Sequence, residues 1–241
     1  MSPVLASTRQ RAARRPATHR SPFSVDVVLL TVQDGQLAVA LKRPSARSTA
    51  RGGERPRERW VLPWGPGRFE ETLTQSAERI AVATLGEEPA WLEQIGAFGD
   101  GRRHPGTAEI SVAFAGLVAA GTQLPAEGDA VFFAVADLPA LAPRQRAMVD
   151  AAVAMIQSRV GQAPIAFRLL PPTFTLSELQ EMYELLLNRP LHKASFRRSL
   201  QAARIVEATD EWRSEGRGRP AQLFSYAPRR RKATPRGVRF E

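Results

Sequence analysis

The chain has 241 residues, 43% of them hydrophobic, enough for one or two domains with ordinary cores, and no cysteine, which excludes disulfides and thiolate metal sites. Its formal net charge is +10 and unevenly placed: residues 1–24 carry five Arg and no acid, residues 25–165 carry 14 basic and 16 acidic side chains, and residues 166–241 carry 15 and 8. A near-neutral middle with basic ends points to a ligand-handling or structural domain joined to one that binds a polyanion, the plain alternative being solvated arginine tails.

Several locations are excluded in the same way. No apolar run approaches the ~18–20 residues of a membrane span. The arginine-bearing N-terminus lacks the apolar segment of a secretory signal. The expectation is a cytoplasmic protein with no membrane partner.

In chain order, Val25–Val32 and Leu37–Leu41 read as strands joined by the hairpin signal Gln33-Asp34-Gly35-Gln36. Residues 44–58 read as a loop, and Arg59–Leu62 as a short strand entering a turn at Pro63–Gly67. Thr72 and Gln75 fit a capping box, Leu73, Ala77, Ile80, Ala81 and Leu85 recur at helical spacing, and Gly86 ends the helix. Strands follow at Leu92–Phe98, Ile110–Val118 and Val131–Val135, then a helix at Pro143–Val160 with Met148, Ala152, Met155 and Ile156 on its apolar stripe.

Within that middle segment, Gly65, Glu71, Arg79 and Gly86 stand at the intervals of the Nudix hydrolase signature, in which glycine, glutamate and an Arg-Glu-apolar-x-Glu-Glu-x-Gly helix follow one another. The three later acidic positions are Ile80, Ala83 and Thr84. Glutamates at i, i+3 and i+4 share one helix face and can gather Mg²⁺ beside a diphosphate, whereas Ile, Ala and Thr cannot hold a hard divalent cation. The expectation is therefore no catalytic residue, no metal and no cofactor. Glu70, Glu71 and Glu78 remain as a weak alternative metal site, more often a cap or surface charges.

The C-terminal third has a different pattern. A helix opened by Phe174-Thr175-Leu176-Ser177-Glu178 runs to about Asn188, with Leu176, Leu179, Met182, Tyr183 and Leu186 inward, and Pro190 breaks it. A second helix, about His192–Arg204, buries Phe196, Leu200 and Ala203. It turns Ala194, Ser195, Arg198, Gln201 and Ala202 outward, with Lys193, Arg197 and Arg204 on its flank. Small residues with Arg and Gln suit a helix lying in a major groove. Ile205-Val206-Glu207 and Leu223–Tyr226 read as a hairpin whose tip, Arg213–Pro220, is basic and glycine-rich.

Residues 22–228 resemble the Nudix-related transcriptional regulators of the NrtR kind. Lys42-Arg43, Trp60-Val61-Leu62-Pro63, the box helix and Ile110-Ser111-Val112-Ala113-Phe114 carry the likeness in the first part. Phe174-Thr175-Leu176, Glu178-Leu179-Gln180, Phe196-Arg197-Arg198 and Gly218-Arg219-Pro220-Ala221 carry it in the second. Two departures stand out: Leu62-Pro63-Trp64-Gly65 replaces the usual Leu-Pro-Gly-Gly, and Ser195 stands where members often have Asn.

The resemblance implies an α/β protein, a Nudix α/β/α sandwich followed by a winged helix-turn-helix domain. The expected divisions are a basic arm at 1–21, a sensor at 22–162, the DNA-binding domain at 163–228 and a basic tail at 229–241. It implies a homodimeric repressor on double-stranded operator DNA, released by a small-molecule effector such as ADP-ribose or a sugar. DNA-contact candidates are Thr175, Ser177, Lys193, Ser195, Arg197, Arg198, Gln201, Arg204, Arg217 and Arg219. Effector candidates are Arg43, Trp64, Glu71, Arg79, Arg102 and Arg103, with Trp64 either stacking on a ring or plugging the emptied cleft. His104, with no acidic partner nearby in sequence, reads as a loop residue. The competing class is a Nudix hydrolase of nucleoside diphosphate derivatives with an atypical metal site.

Overall fold

The computed structural model describes residues 23–43, 60–99, 104, 108–161, 164–214 and 220–227. A six-stranded mixed sheet is built around β1 (Phe23–Gln33), which pairs in parallel with β5 (Ile110–Leu117) along most of its length. Its other edge is shared. The second half of β1 pairs with β2 (Gln36–Lys42) across the Asp34-Gly35 turn, both residues with positive φ, and the first half pairs with β3 (Trp64–Pro66). Strands β4 (Trp91–Phe98) and β6 (Ala130–Ala134) close the two edges.

The expected turn at Pro63–Gly67 is thus a strand. Once β2 diverges from β1, the backbone groups of Ser24–Asp26 need partners, and Trp64–Pro66 supply them in antiparallel register. The expected strand at Arg59–Leu62 reduces to a single bridge, Lys42 to Val61. Gly67 is where the chain passes the Phe23 ring so closely that a Cβ would fall 2.0 Å from it.

Alternation along β1 sorts its side chains between two helices. Val25, Val27 and Leu29 face α1 (Leu73–Leu85) and pack with Ala77, Ile80, Ala81 and Leu85. Val28 and Leu30 face α2 (Pro143–Arg159) and pack with Met148, Val149 and Ala152. The α1 capping box forms as its sequence implies: Thr72 accepts from the Gln75 amide, Gln75 accepts from the Thr72 amide, and Gly86 closes the helix at φ 80°.

The core on the α2 side continues without a break into the C-terminal third, from Ile156 and Val160 to Ile165, Ala166 and Leu169 of α3 (Ile165–Leu169) and on to Phe174 and Leu179. Helix α3, absent from the sequence expectations, holds Phe167, whose ring stacks on Tyr226 at 4.5 Å and lies 5.6 Å from Phe174. After it come β7 (Thr173–Phe174), α4 (Leu176–Leu187), α5 (Lys193–Ala203), β8 (Val206–Arg213) and β9 (Ala221–Tyr226), the strands forming a separate sheet in the order β7-β9-β8. Phe174, expected to open the helix, instead pairs with Phe224, and Thr175 becomes the cap. The first strand of the hairpin runs to Arg213 rather than stopping near Glu207.

Candidate functional site

The box helix keeps the frame of its signature but uses it structurally. Glu71 accepts from Arg79 through Nε at 2.9 Å and a terminal nitrogen at 2.8 Å, from Ser76 at 2.7 Å and from Arg68 at 3.1 Å. The Arg79 and Ser76 hydrogen bonds hold its carboxyl at about 2, far below the ordinary range. Glu71 and Arg79, expected to meet an effector, therefore satisfy each other.

The three missing glutamates are replaced in a way that matters for packing. Ile80 is 6% exposed and belongs to the core beneath the sheet, Thr84 is buried with its hydroxyl on the Ile80 carbonyl at 2.9 Å, and Ala83 is exposed. A Cβ built on Gly65 would meet Ile80 Cδ1 at 3.4 Å, so Gly65 faces α1. Its neighbour Trp64 consequently faces the α2 side. Of the two alternatives for Trp64, plugging the α1 side of the cleft is not its role, because Ile80 fills that face.

On the α2 side Trp64 meets His104, ring centroids 4.8 Å apart and edge to face. His104 is not the unpartnered loop residue its sequence neighbourhood suggested. Its Nε2 is 2.8 Å from Asp26 Oδ1, and both side chains are fully buried. Sequence distance hid the pair, since Asp26 lies 78 positions away. The available signal was an acid within the apolar run Val25–Val32, where only a partnered carboxylate tolerates burial. Arg43, exposed at the end of β2, lies over the Trp60 ring at 5.6 Å and is engaged there. Arg102 and Arg103 lie outside the described residues.

In the C-terminal third, α4 starts with a second capping box, Thr175 accepting from the Glu178 amide at 3.1 Å and Glu178 from the Thr175 amide at 2.7 Å. Thr175, a DNA-contact candidate, is 8% exposed, and its hydroxyl serves the helix end as a cap. Ser177 beside it is exposed. Arg213, at the base of the hairpin tip, donates to Glu178 at 2.6 Å and ties the hairpin to α4. Burial pushes the Glu178 carboxyl up, but the Thr175 amide and hydroxyl and the Arg213 guanidinium outweigh it and leave the group below its ordinary range.

Helix α5 buries Phe196 and Leu200, with the Tyr183 ring 5.5 Å from that of Phe196. Lys193, Ser195, Arg197, Arg198, Gln201 and Arg204 are all exposed, and no acidic side chain among the described residues pairs with these four cations. Arg204 ends the helix in the left-handed conformation at φ 51°. Arg217 and Arg219, at the hairpin tip, lie outside the described residues.

A sheet between two helices that carries a Nudix frame, followed by a helix–strand–helix–helix–hairpin unit with an exposed basic helix face, is the fold of a Nudix-like domain joined to a winged helix. Comparison with known proteins agrees. Residues 166–226 match the family described as the NrtR DNA-binding winged helix domain. The ADPR responsive transcriptional repressor NtrR of Acinetobacter baylyi is 28% identical over 224 residues, covering 90% of this chain and 86% of that protein. The crystal structure of Shewanella oneidensis NrtR complexed with a 27mer DNA superposes with a TM-score of 0.72 at 27% identity, covering 86% of this chain and 94% of the other. A MutT/nudix family protein from Enterococcus faecalis, 18% identical with a TM-score of 0.63 over 87% of this chain and 89% of its own, shows the same fold. Over most of its length the chain is thus similar to NrtR-like Nudix regulators.

Proposed function

We propose that this chain is a transcriptional repressor that binds operator DNA as a homodimer and lets go when its Nudix-type domain takes up ADP-ribose or a closely similar metabolite. The observation that carries the reading is the solvent face of α5: Lys193, Arg197, Arg198 and Gln201 stand exposed around small side chains, supported from behind by Phe196 and Leu200. Such a face fits the width of a major groove, where Arg pairs with guanine and Gln with adenine. The similarity to an NrtR crystallised on DNA and to an ADPR-responsive repressor supports both halves of the proposal.

Hydrolysis is the less favoured reading. With Ile80 inside the core and Glu71 held by two arginines, the box helix presents no group of carboxylates to a metal. The relative named as a repressor points the same way.

The test is a mobility-shift titration on the DNA upstream of this gene and on random duplex, with and without ADP-ribose. Arg198→Ala is expected to weaken the specific complex by about 1–3 kcal/mol and to narrow its margin over random duplex. Free ADP-ribose is expected to dissociate the specific complex with no consumption of the nucleotide. Equal binding of both duplexes by the unmodified chain, or steady Mg²⁺-dependent turnover, defeats the proposal.

A further inference from the structure

The α2 face of the sheet carries a polar cluster that neither DNA binding nor a hydrolase frame requires. Asp26 lies at its centre, in the even register of β1 with Val28 and Leu30. Ser24 donates to Asp26 Oδ2 at 2.7 Å, Gln145 Nε2 donates to Oδ1 at 3.3 Å, and His104 Nε2 lies 2.8 Å from Oδ1. Gln145 accepts the Leu62 amide at 3.3 Å. Ser24 also reaches Ser111, its register partner on β5, at 2.9 Å. Arg144, 1% exposed, donates to the Ala108 carbonyl at 3.0 Å and toward Ser111 Oγ at 3.4 Å.

Buried charge is a poor source of stability, because desolvation offsets the attraction. A satisfied polar network instead selects one relative placement of the elements that contribute to it. Here these are the start of β1, the start of β5, His104, the approach to β3 and the first turn of α2. The network has one aromatic face toward the partly exposed Trp64, through His104. Its other end is α2, whose 17 residues form a rod about 25 Å long. Ile156 near the far end of that rod and Val160 just past it pack in the same core as α3 and α4 of the winged helix.

We propose that the Asp26–His104–Gln145 network is the joint that passes effector occupancy at Trp64 to the winged helix, with His104 as its positioning residue and α2 as the lever. The proposal rests on the sensor reading above. A ligand that moves the Trp64 ring displaces His104, and His104 cannot shift without re-pairing Asp26 and Gln145. Gln145 lies in the first turn of α2, so the change reaches the helix. Both states of the joint must differ in effector affinity for coupling to arise.

The test uses the full chain with His104→Phe, which keeps a ring against Trp64 and removes the nitrogen facing Asp26. His104→Gln restores a donor, and the double variant Asp26→Asn/His104→Phe leaves no buried carboxylate behind if the single variant fails to fold. Three quantities are read: ADP-ribose affinity by calorimetry, DNA affinity with and without saturating ADP-ribose, and amide exchange along the chain. The expected result is ADP-ribose affinity within threefold of the unmodified chain, with the weakening of DNA binding reduced at least tenfold and recovered in His104→Gln. Unchanged weakening in a folded variant, or weakening lost only in step with ADP-ribose affinity, overturns the joint.

If the unmodified chain itself ignores ADP-ribose, the sensor reading has failed and exchange alone decides. Faster exchange at 165–187 in the ligand-free variant then supports the joint, and change confined to 23–26, 108–112 and 143–146 overturns it.

Discussion

Ile80 stands where the hydrolase signature places its first helix glutamate, and restoring that glutamate is a sharp test of what replaced it. The side chain is 6% exposed and packs with Val25, Val27, Leu29 and Phe114. Ile80→Glu removes an isoleucine burial worth about 1.5–3 kcal/mol and inserts a carboxyl with no partner, costing about 1–3 kcal/mol more. The sum, about 3–6 kcal/mol, is a large part of a domain stability of about 5–15 kcal/mol. A carboxyl in that position is desolvated and keeps its proton, so it gains no affinity for Mg²⁺. Val82→Glu is the matched control, on the same helix and 37% exposed, and should stay within about 0.5 kcal/mol of the parent chain. Urea unfolding followed by the fluorescence of the four tryptophans measures both. An Ile80→Glu protein within about 1 kcal/mol of the parent, or one that acquires Mg²⁺-dependent cleavage of ADP-ribose, would show that position 80 opens on an ion site and that the packing account is wrong.

Two other outcomes follow from the capped helix ends. The Glu71 carboxyl is lowered from 4.5 to about 2, so its ionised form contributes stability that is fully present above pH 4.5 and disappears as the pH falls through about 2. Glu71→Gln should remove that component of acid sensitivity in urea midpoints measured between those limits, and an unchanged slope would assign the acid loss to other groups. Thr175→Ala should cost about 1 kcal/mol of stability through the lost cap while leaving DNA affinity of the folded protein intact. Weaker DNA binding at unchanged stability would instead place that hydroxyl on a phosphate.

Local chemistry made most of the architecture legible. The Asp34-Gly35 turn, the Thr72–Gln75 capping box and the Gly86 stop are short-range devices, and each forms where its residues stand. The burial of Phe196 and Leu200, and hence the outward face of α5, followed from helical spacing alone. What failed needed a partner far along the chain. Strand β3 exists because β1 lacks a neighbour there, and β7 because Phe224 presents an edge to Phe174. A three-residue or two-residue strand has no period to detect. His104 failed for the same reason, since its identity as a buried partner is a property of Asp26.

The two faces of β1 differ in what they tolerate. Toward α1, Ile80 and Thr84 occupy positions that hold metal in the hydrolase signature, and an apolar residue on a helix face next to Val25 and Val27 simply extends a core. Toward α2, Asp26 cannot be absorbed in that way. Its removal would leave His104 and Gln145 facing an unmatched cavity, and its retention requires both of them in place. Sequence drift is therefore cheap on the α1 face and expensive on the α2 face, even though the two are separated by one residue of β1. The polar contacts run from His104, against Trp64, through Asp26 to Gln145 in the first turn of α2, and apolar packing of Ile156 and Val160 continues from there to α3 and α4. On the joint proposed above, the polar face, and not the retained frame of the box, is where effector occupancy is passed toward the winged helix.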